Sequence, residues 1–394
     1  MIGAAAAGLS LLASLLVGED CRRCPPPPTA PELEQARAGL AQAYAQANLC
    51  APCEDSVLSK AAGAIAAGPG EGLPDPVALQ RMVQAAGGGD PSPRAMLLTA
   101  RDQKALARDV DLQWQPQGLD EVVGLGVFQS PWQSPWQGPR QGQQQGRDRV
   151  RLVVLSAERK VAVDPLPVRV SVGSEIRITG TLLAALHSPS VYVEGPNGIV
   201  AQIEAALTGS RFSARFEPNA PGSYAIEILG RGPRGPEVVF LKSVEVGTGG
   251  PPELPVKLEP AAQDDAVAVL DQINRERLKY GTPALSSDPR LASVAGAYAK
   301  ELRELGMFGH VSPRSGDLKA RLKRVGYPFR SAAENLAEGP TALEAQALAA
   351  NSPAHRRAML DPAYTRCGIG LSRTISGAGN SDVLLVEVFA LEGP

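Results

Sequence analysis

Two proline- and glycine-rich stretches interrupt this chain where no regular element is expected. Residues 248–260 read TGGPPELPVKLEP, and residues 129–147 read QSPWQSPWQGPRQGQQQGR. Neither carries an apolar period, and both are dense in residues that break helices and ladders, so the first reads as a stiff linker and the second as a flexible low-complexity loop. The chain has 394 residues, too many for one ordinary core. Aromatic residues make up only 4% of it, so its cores must be built from Leu, Val, Ile and Ala. The net charge of −2, without a long basic run, argues against a nucleic-acid partner.

The N-terminus is apolar from Ile2 to Val17, the length of a signal-peptide core and short for a bilayer-spanning helix. Residues 1–20 are therefore read as an export signal, although no Lys or Arg precedes the apolar run and no small-residue cleavage site is clear. After removal of the signal no transmembrane segment is expected. Cys21, Cys24, Cys50 and Cys53 form two C-x-x-C pairs, compatible with two disulfides in an oxidising compartment or with a four-thiolate zinc site. The long helical run between the pairs favours disulfides, since zinc ribbons join their pairs compactly. Cys367 is left over and reads as a small buried strand residue.

Residues 21–160 read as an α+β domain. Two helices over 32–68 precede a hairpin of EVVGLGVF (121–128) and RVRLVVLSA (149–157), with the 129–147 loop between its strands. The same order returns near the C-terminus. Ala266, Val269, Leu270 and Ile273 mark one face of a helix behind Asp264 or Asp265. A second helix is capped by Asp288, begins at Pro289 and stops at Gly306; TRCGIGLS (365–372) and SDVLLVEVFA (381–390) then form a hairpin. Laid on 287–301, residues 54–68 match at Asp55/Asp288, Leu58/Leu291, Ala62/Ala295 and Gly63/Gly296. An internal repeat is expected on these grounds. Residues 162–247 between the copies consist of short alternating runs separated by turn signals, the pattern of an immunoglobulin-like β-sandwich. His187 lies there, in a segment read as a loop without function.

The chain has three histidines, and two of them fall within residues 261–394. His310 stands in FGHVSP, Glu334 in AAENLAEG and His355 in NSPAHRRAML, spaced by 24 and 21 residues. Two imidazoles and a carboxylate are the donors a borderline divalent ion such as zinc takes, but this spacing satisfies no short metal motif, and convergence is not established by it. Ser312 and Ser352 read as turn formers or helix caps.

The ordered run INRERLKYGTPALSSDPRLASVAGAYAKEL, FGHVSP, AENLA, NSPAHRRAML, CGIGLS and LLVEVFA resembles the CAP superfamily, the cysteine-rich secretory, antigen 5 and pathogenesis-related proteins, in its bacterial SCP-like form. The resemblance implies a C-terminal α-β-α sandwich over 261–394. Its cleft would collect His310, Glu334 and His355, with His310 and His355 as metal ligands and zinc as the ion. By the same likeness, residues 21–160 would be a degenerate CAP-like domain, since 32–157 holds no histidine. Ala333, Ala354 and Ala349 depart from the family's glycines and tryptophan, and Glu344 is the nearest candidate for a missing second cleft glutamate. The function expected is that of an exported bacterial binding module, secreted, periplasmic or at the cell surface, for an extracytoplasmic ligand or protein. The alternatives are a structural or adhesion surface protein and a metal-assisted hydrolase using His310, Glu334 and His355. Whether the protein is an enzyme is left open.

Overall fold

A computed structural model describes residues 24, 30–70, 72–100, 103–116, 121–130, 149–183, 185–247, 265–375 and 381–393. Residues 1–20, read as an export signal, Cys21, residues 131–148 with Trp132 and Trp136, and residues 248–260, read as a linker, lie outside the described residues. The chain forms two compact units, one drawn from Met1–Leu73, Ala85–Gly88 and Pro93–Arg159, the other from Pro74–Gln84, Gly89–Ser92 and Lys160–Pro394. The fold is mixed α+β, with four sheets among the described residues.

In chain order the first part runs α1 (Glu34–Gln46), β1 (Cys53–Glu54), α2 (Ser56–Ala67), α3 (Pro76–Ala86), β2 (Arg94–Ala100), α4 (Gln103–Gln113), β3 (Glu121–Ser130) and β4 (Arg149–Glu158). The expected hairpin is β3 and β4, paired antiparallel in the sheet order β1-β3-β4-β2. Gln129 and Ser130, assigned from sequence to the flexible loop, are the last residues of β3. Cys24 is bonded to Cys53, and Cys50 is also in a disulfide.

Nine strands follow: β5 (Val161–Val163), β6 (Arg169–Val170), β7 (Ile176–Leu182), β8 (His187–Glu194), β9 (Val200–Ile203), β10 (Ala206–Thr208), β11 (Arg211–Phe216), β12 (Gly222–Gly232) and β13 (Gly235–Val246). They make two sheets, β10-β11-β7-β5 and β6-β13-β12-β8-β9. Alternation buries Ile176, Ile178 and Phe212 from the first against Val191, Ile226 and Val244 from the second in one core. His187 is not in a loop. It opens β8 on the exposed side, with Nδ1 2.9 Å from Ser188 Oγ.

The last part runs α5 (Ala266–Lys279), β14 (Ser286–Ser287), α6 (Pro289–Leu305), α7 (Leu318–Arg324), β15 (Phe329–Gly339), α8 (Ala342–Ala350), α9 (Pro353–Met359), β16 (Arg366–Ile375) and β17 (Ser381–Glu392). Asp265 caps α5 and Asp288 caps α6; Gly306 ends α6 at φ +58°, a left-handed turn that glycine adopts at little cost. The sheet order is β14-β16-β17-β15. Along β17, Val383, Leu385 and Phe389 pack with α5 and α8, while Leu384, Val386 and Val388 pack with α6 and α7. A strand buried on both faces must be apolar without alternation, which is what LLVEVFA encodes apart from Glu387. Cys367 lies in β16, fully buried and free.

The two outer sheets share their order and their packing. A Cβ on Gly368 or Gly370 would lie 2.2 Å from the backbone of α6 at residues 291–292 and 295–296. One on Gly124 or Gly126 would lie 2.2 and 2.1 Å from the backbone of α2 at Leu58 and Ala62. In both places a helix capped by aspartate, Asp55 or Asp288, rests directly on a glycine-bearing strand.

Candidate functional site

His310 sits in the turn after α6. The Tyr298 hydroxyl donates to the carbonyl of Gly309 at 2.6 Å, and the His310 and Val311 amides both donate to the carbonyl of Arg234, at 2.8 and 3.0 Å. The ring is oriented through Nδ1, 3.0 Å from Glu334 Oε1 on β15. A carboxylate partner places the proton on Nδ1 and leaves the Nε2 lone pair for another group. Glu334 is itself buried, and its Oε2 receives the guanidinium of Arg321, a nearly buried α7 residue that also lies over the Tyr298 ring. His310 and Glu334 line an open cavity of about 410 Å³.

His355 is the third residue of α9, where Ser352 is the N-cap and Pro353 the first helical position. Its Nδ1 is enclosed and makes no protein hydrogen bond. Burial, with the charge of His310 adding to it, pushes the pKa of His355 down to about 4, so the ring is neutral near pH 7. His355 is not among the residues that line the cavity.

Four further side chains hold this arrangement, and sequence reasoning did not single them out. Arg321 neutralises Glu334. Asn335 Nδ2 donates to the His355 carbonyl at 3.2 Å and to Glu387 Oε2 at 2.9 Å, fixing the start of α9 from behind. Glu387 is fully buried, and desolvation, opposed by the Asn335 bond, pushes it up to about 7. Glu227, on β12, accepts from Ser352 Oγ at 2.6 Å and from the Ala354 amide at 2.7 Å, so a carboxylate of the sandwich closes the helix terminus that carries His355. Glu344 is spent on its own helix: its amide donates to Thr341 Oγ1, and its Oε2 accepts from that hydroxyl. Ser352 is a helix cap, and Ser312 Oγ accepts from the Arg314 amide in a turn.

Among the described residues, no three His, Cys, Asp or Glu side chains are grouped as metal ligands. Imidazole nitrogens are the donors this region could offer a metal, because Glu334 is committed to Arg321 and to His310. Zinc in catalytic sites usually has three protein ligands, one more than two imidazoles supply.

Residues 270–389 match the family model described as the cysteine-rich secretory protein family. This part of the chain is a CAP domain. The chain is 38% identical over 109 residues to the Bacillus subtilis (strain 168) membrane protein YlbC, covering 27% of this chain and 31% of that protein. It is 33% identical over 103 residues to YkwD of the same organism, covering 26% of this chain and 40% of that protein. The chain thus spans about a third of the length of these relatives. A crystal structure of an extracellular protein containing a SCP domain from Bacillus anthracis aligns with a TM-score of 0.29 at 19% identity, covering 54% of this chain and 81% of that one. No helix among the described residues is long and apolar enough to cross a membrane.

Strand register gives positions of the first sheet their counterparts in the sheet of the CAP domain. Gly368 and Glu334 both pair with Val388, as Gly124 and Ala95 both pair with Leu155. By the same register Met96 stands where the CAP domain has Asn335, and Val154 where it has Glu387.

Proposed function

We propose that the protein is an exported bacterial binding module whose CAP cleft takes an extracytoplasmic ligand, with His310 and His355 able to hold a divalent ion, zinc by preference. The observation that carries this reading is His310, fixed through Nδ1 by Glu334 at the wall of an open cavity. A neutral imidazole is the form that binds metal, and a bound ion would supply a Lewis-acid anchor for an oxygen of the ligand. The Cys24–Cys53 bond suits an oxidising compartment, and residues 1–20 are read as the export signal. The central sandwich is read as immunoglobulin-like. Residues 21–160 are read as a degenerate CAP-like domain, in which Ala95, Met96 and Val154 at the positions of Glu334, Asn335 and Glu387 leave an apolar scaffold without the site.

Hydrolysis has less support. The hydroxyls of Ser312 and Ser352 donate to Glu301 and Glu227, burial pushes the Cys367 thiol up, and Glu334 as a base would have to leave Arg321. The direct test is zinc titration of the full chain followed by NMR of the histidine rings, where His187 serves as an internal control. The His310 and His355 resonances are expected to shift together while that of His187 stays fixed. Unmoved His310 and His355 resonances would overturn the metal reading.

A further inference from the structure

The cavity beside His310 is not made by the CAP domain alone. Arg231 and Pro236, from the β12–β13 hairpin of the sandwich, form part of its wall. The hairpin is seated closely. Its Arg234 carbonyl receives the His310 and Val311 amides, and a Cβ on Gly309 would lie 2.7 Å from Arg234 Cβ and 2.9 Å from that carbonyl oxygen. Gly309, at φ +156°, and Gly235, at φ +100°, let the two backbones meet. Glu227, farther along β12, is bonded to the start of α9, so one strand pair touches both histidine segments.

The lining has a definite chemical character. Pro236, Val311, Leu318, Phe329, Ala332 and Ala333 are apolar. Two exposed cations, Arg231 and Lys319, stand with them, and their side chains make no hydrogen bond or ion pair to any described residue. Of the two carboxylates present, Glu334 is compensated by Arg321, and Asp317 Oδ1 accepts from the Ala320 amide at the start of α7. The wall therefore keeps one net positive charge beside an apolar surface. Its volume, about 410 Å³, lies in the range of small-ligand sites.

We propose that this composite cleft binds a small amphiphile bearing one anionic group, a carboxylate or a phosphate monoester. The group would lie with Arg231 and Lys319, and the apolar portion against Pro236, Leu318 and Phe329. This rests on the reading of the CAP cleft as a ligand site and adds that the sandwich supplies part of the recognition. Arg231 is the residue that ties specificity to the neighbouring domain, because no CAP residue replaces it in the wall.

The test is isothermal titration of the full chain with octyl phosphate, octanoate, octanol and inorganic phosphate, each below its aggregation concentration. Octyl phosphate or octanoate is expected to bind, and which of the two binds more tightly identifies the head group. Octanol and inorganic phosphate should each be at least about tenfold weaker, the loss expected when a charged contact or the apolar contact is missing. Arg231→Ala and Lys319→Ala, both at exposed positions, should each weaken octyl phosphate about tenfold while leaving zinc uptake unchanged. Equal binding of octanol and octyl phosphate, equal binding of inorganic phosphate, or wild-type affinity in Arg231→Ala would each overturn the proposal. Absence of zinc uptake with amphiphile binding retained would sink the imidazole reading and leave this one standing.

Discussion

Arg277→Ala is expected to destabilise the CAP domain by about 4 kcal/mol, a loss at the upper end of single substitutions. Arg277 is fully buried in α5. Its Nε donates to the Pro283 carbonyl at 2.7 Å, Nη1 to those of Met359 and Asp361 at 2.7 and 3.0 Å, and Nη2 to that of Tyr364 at 3.1 Å. Truncation would leave four carbonyls without this donor, at about 1–3 kcal/mol for each that water cannot reach, and would open a cavity as well. Three of the four belong to the segment that leads from α9 into β16, so the loss falls on the turn beyond His355. Arg277→Lys should recover little, because a single ammonium cannot reproduce the planar fork. Cys367, free and buried in the same core, gives a local readout. Its labelling by a thiol reagent should begin at clearly lower urea concentration in Arg277→Ala, and labelling at the wild-type concentration would contradict the assignment.

The second large effect concerns pH. Desolvation, with the charge of Glu194 adding to it, pushes Glu227 up to about 7, while its bonds from Ser352 and Ala354 act in the opposite direction. A carboxyl whose folded pKa lies above its unfolded value binds more protons in the native state between those values. Its contribution is therefore fully present below about pH 4.5 and is lost as pH rises through 7, a change of about 3 kcal/mol. Glu387 runs the same way. His355 runs the other way: its folded pKa of about 4 lies below the ordinary 6.5, so its contribution is present above 6.5 and is lost as pH falls towards 4. The difference between wild type and Glu227→Gln removes Glu387 and His355 from the comparison. Urea unfolding at intervals from pH 4.5 to 8 should show the advantage of wild type over Glu227→Gln shrinking by about 3 kcal/mol across that range. Parallel stability curves would mean that the folded protein does not raise the pKa of Glu227.

The neighbourhood of His310 and Glu334 was legible because both fell at ordered motif positions, and the structure bonds the two directly. Asp265 and Asp288 were legible as caps because helix termini impose local chemistry. Strand β2 was not. Its sequence RAMLLTA is made largely of good helix formers and lacks alternation, so only pairing with β4 makes it a strand. Helices α3 and α4 also fell between the helices read over 32–68 and the hairpin, a stretch to which the sequence reading assigned no element. The supports of the site were hidden for another reason. Glu227 in YAIEILG and Glu387 in LLVEVFA each stand as a lone charge in an apolar run, a signal that a buried carboxylate needs a partner. Their partners, Ser352 and Asn335, lie 125 and 52 residues away in the chain and are joined to them only by the fold. His187 was misplaced because Pro189 in HSPS reads as a loop, whereas β8 tolerates it.

The claim that His310 and His355 together hold a divalent ion is tested most directly by calorimetric zinc titration of the full chain at pH 7.5, in wild type and in His187→Ala, His310→Ala and His355→Ala. Wild type and His187→Ala are expected to take up one zinc with equal affinity. His310→Ala and His355→Ala should each lose that uptake, with an unfolding midpoint of the metal-free protein close to that of wild type for His310→Ala. Retention of wild-type zinc affinity in either cleft variant, or loss of it in His187→Ala, would contradict the site.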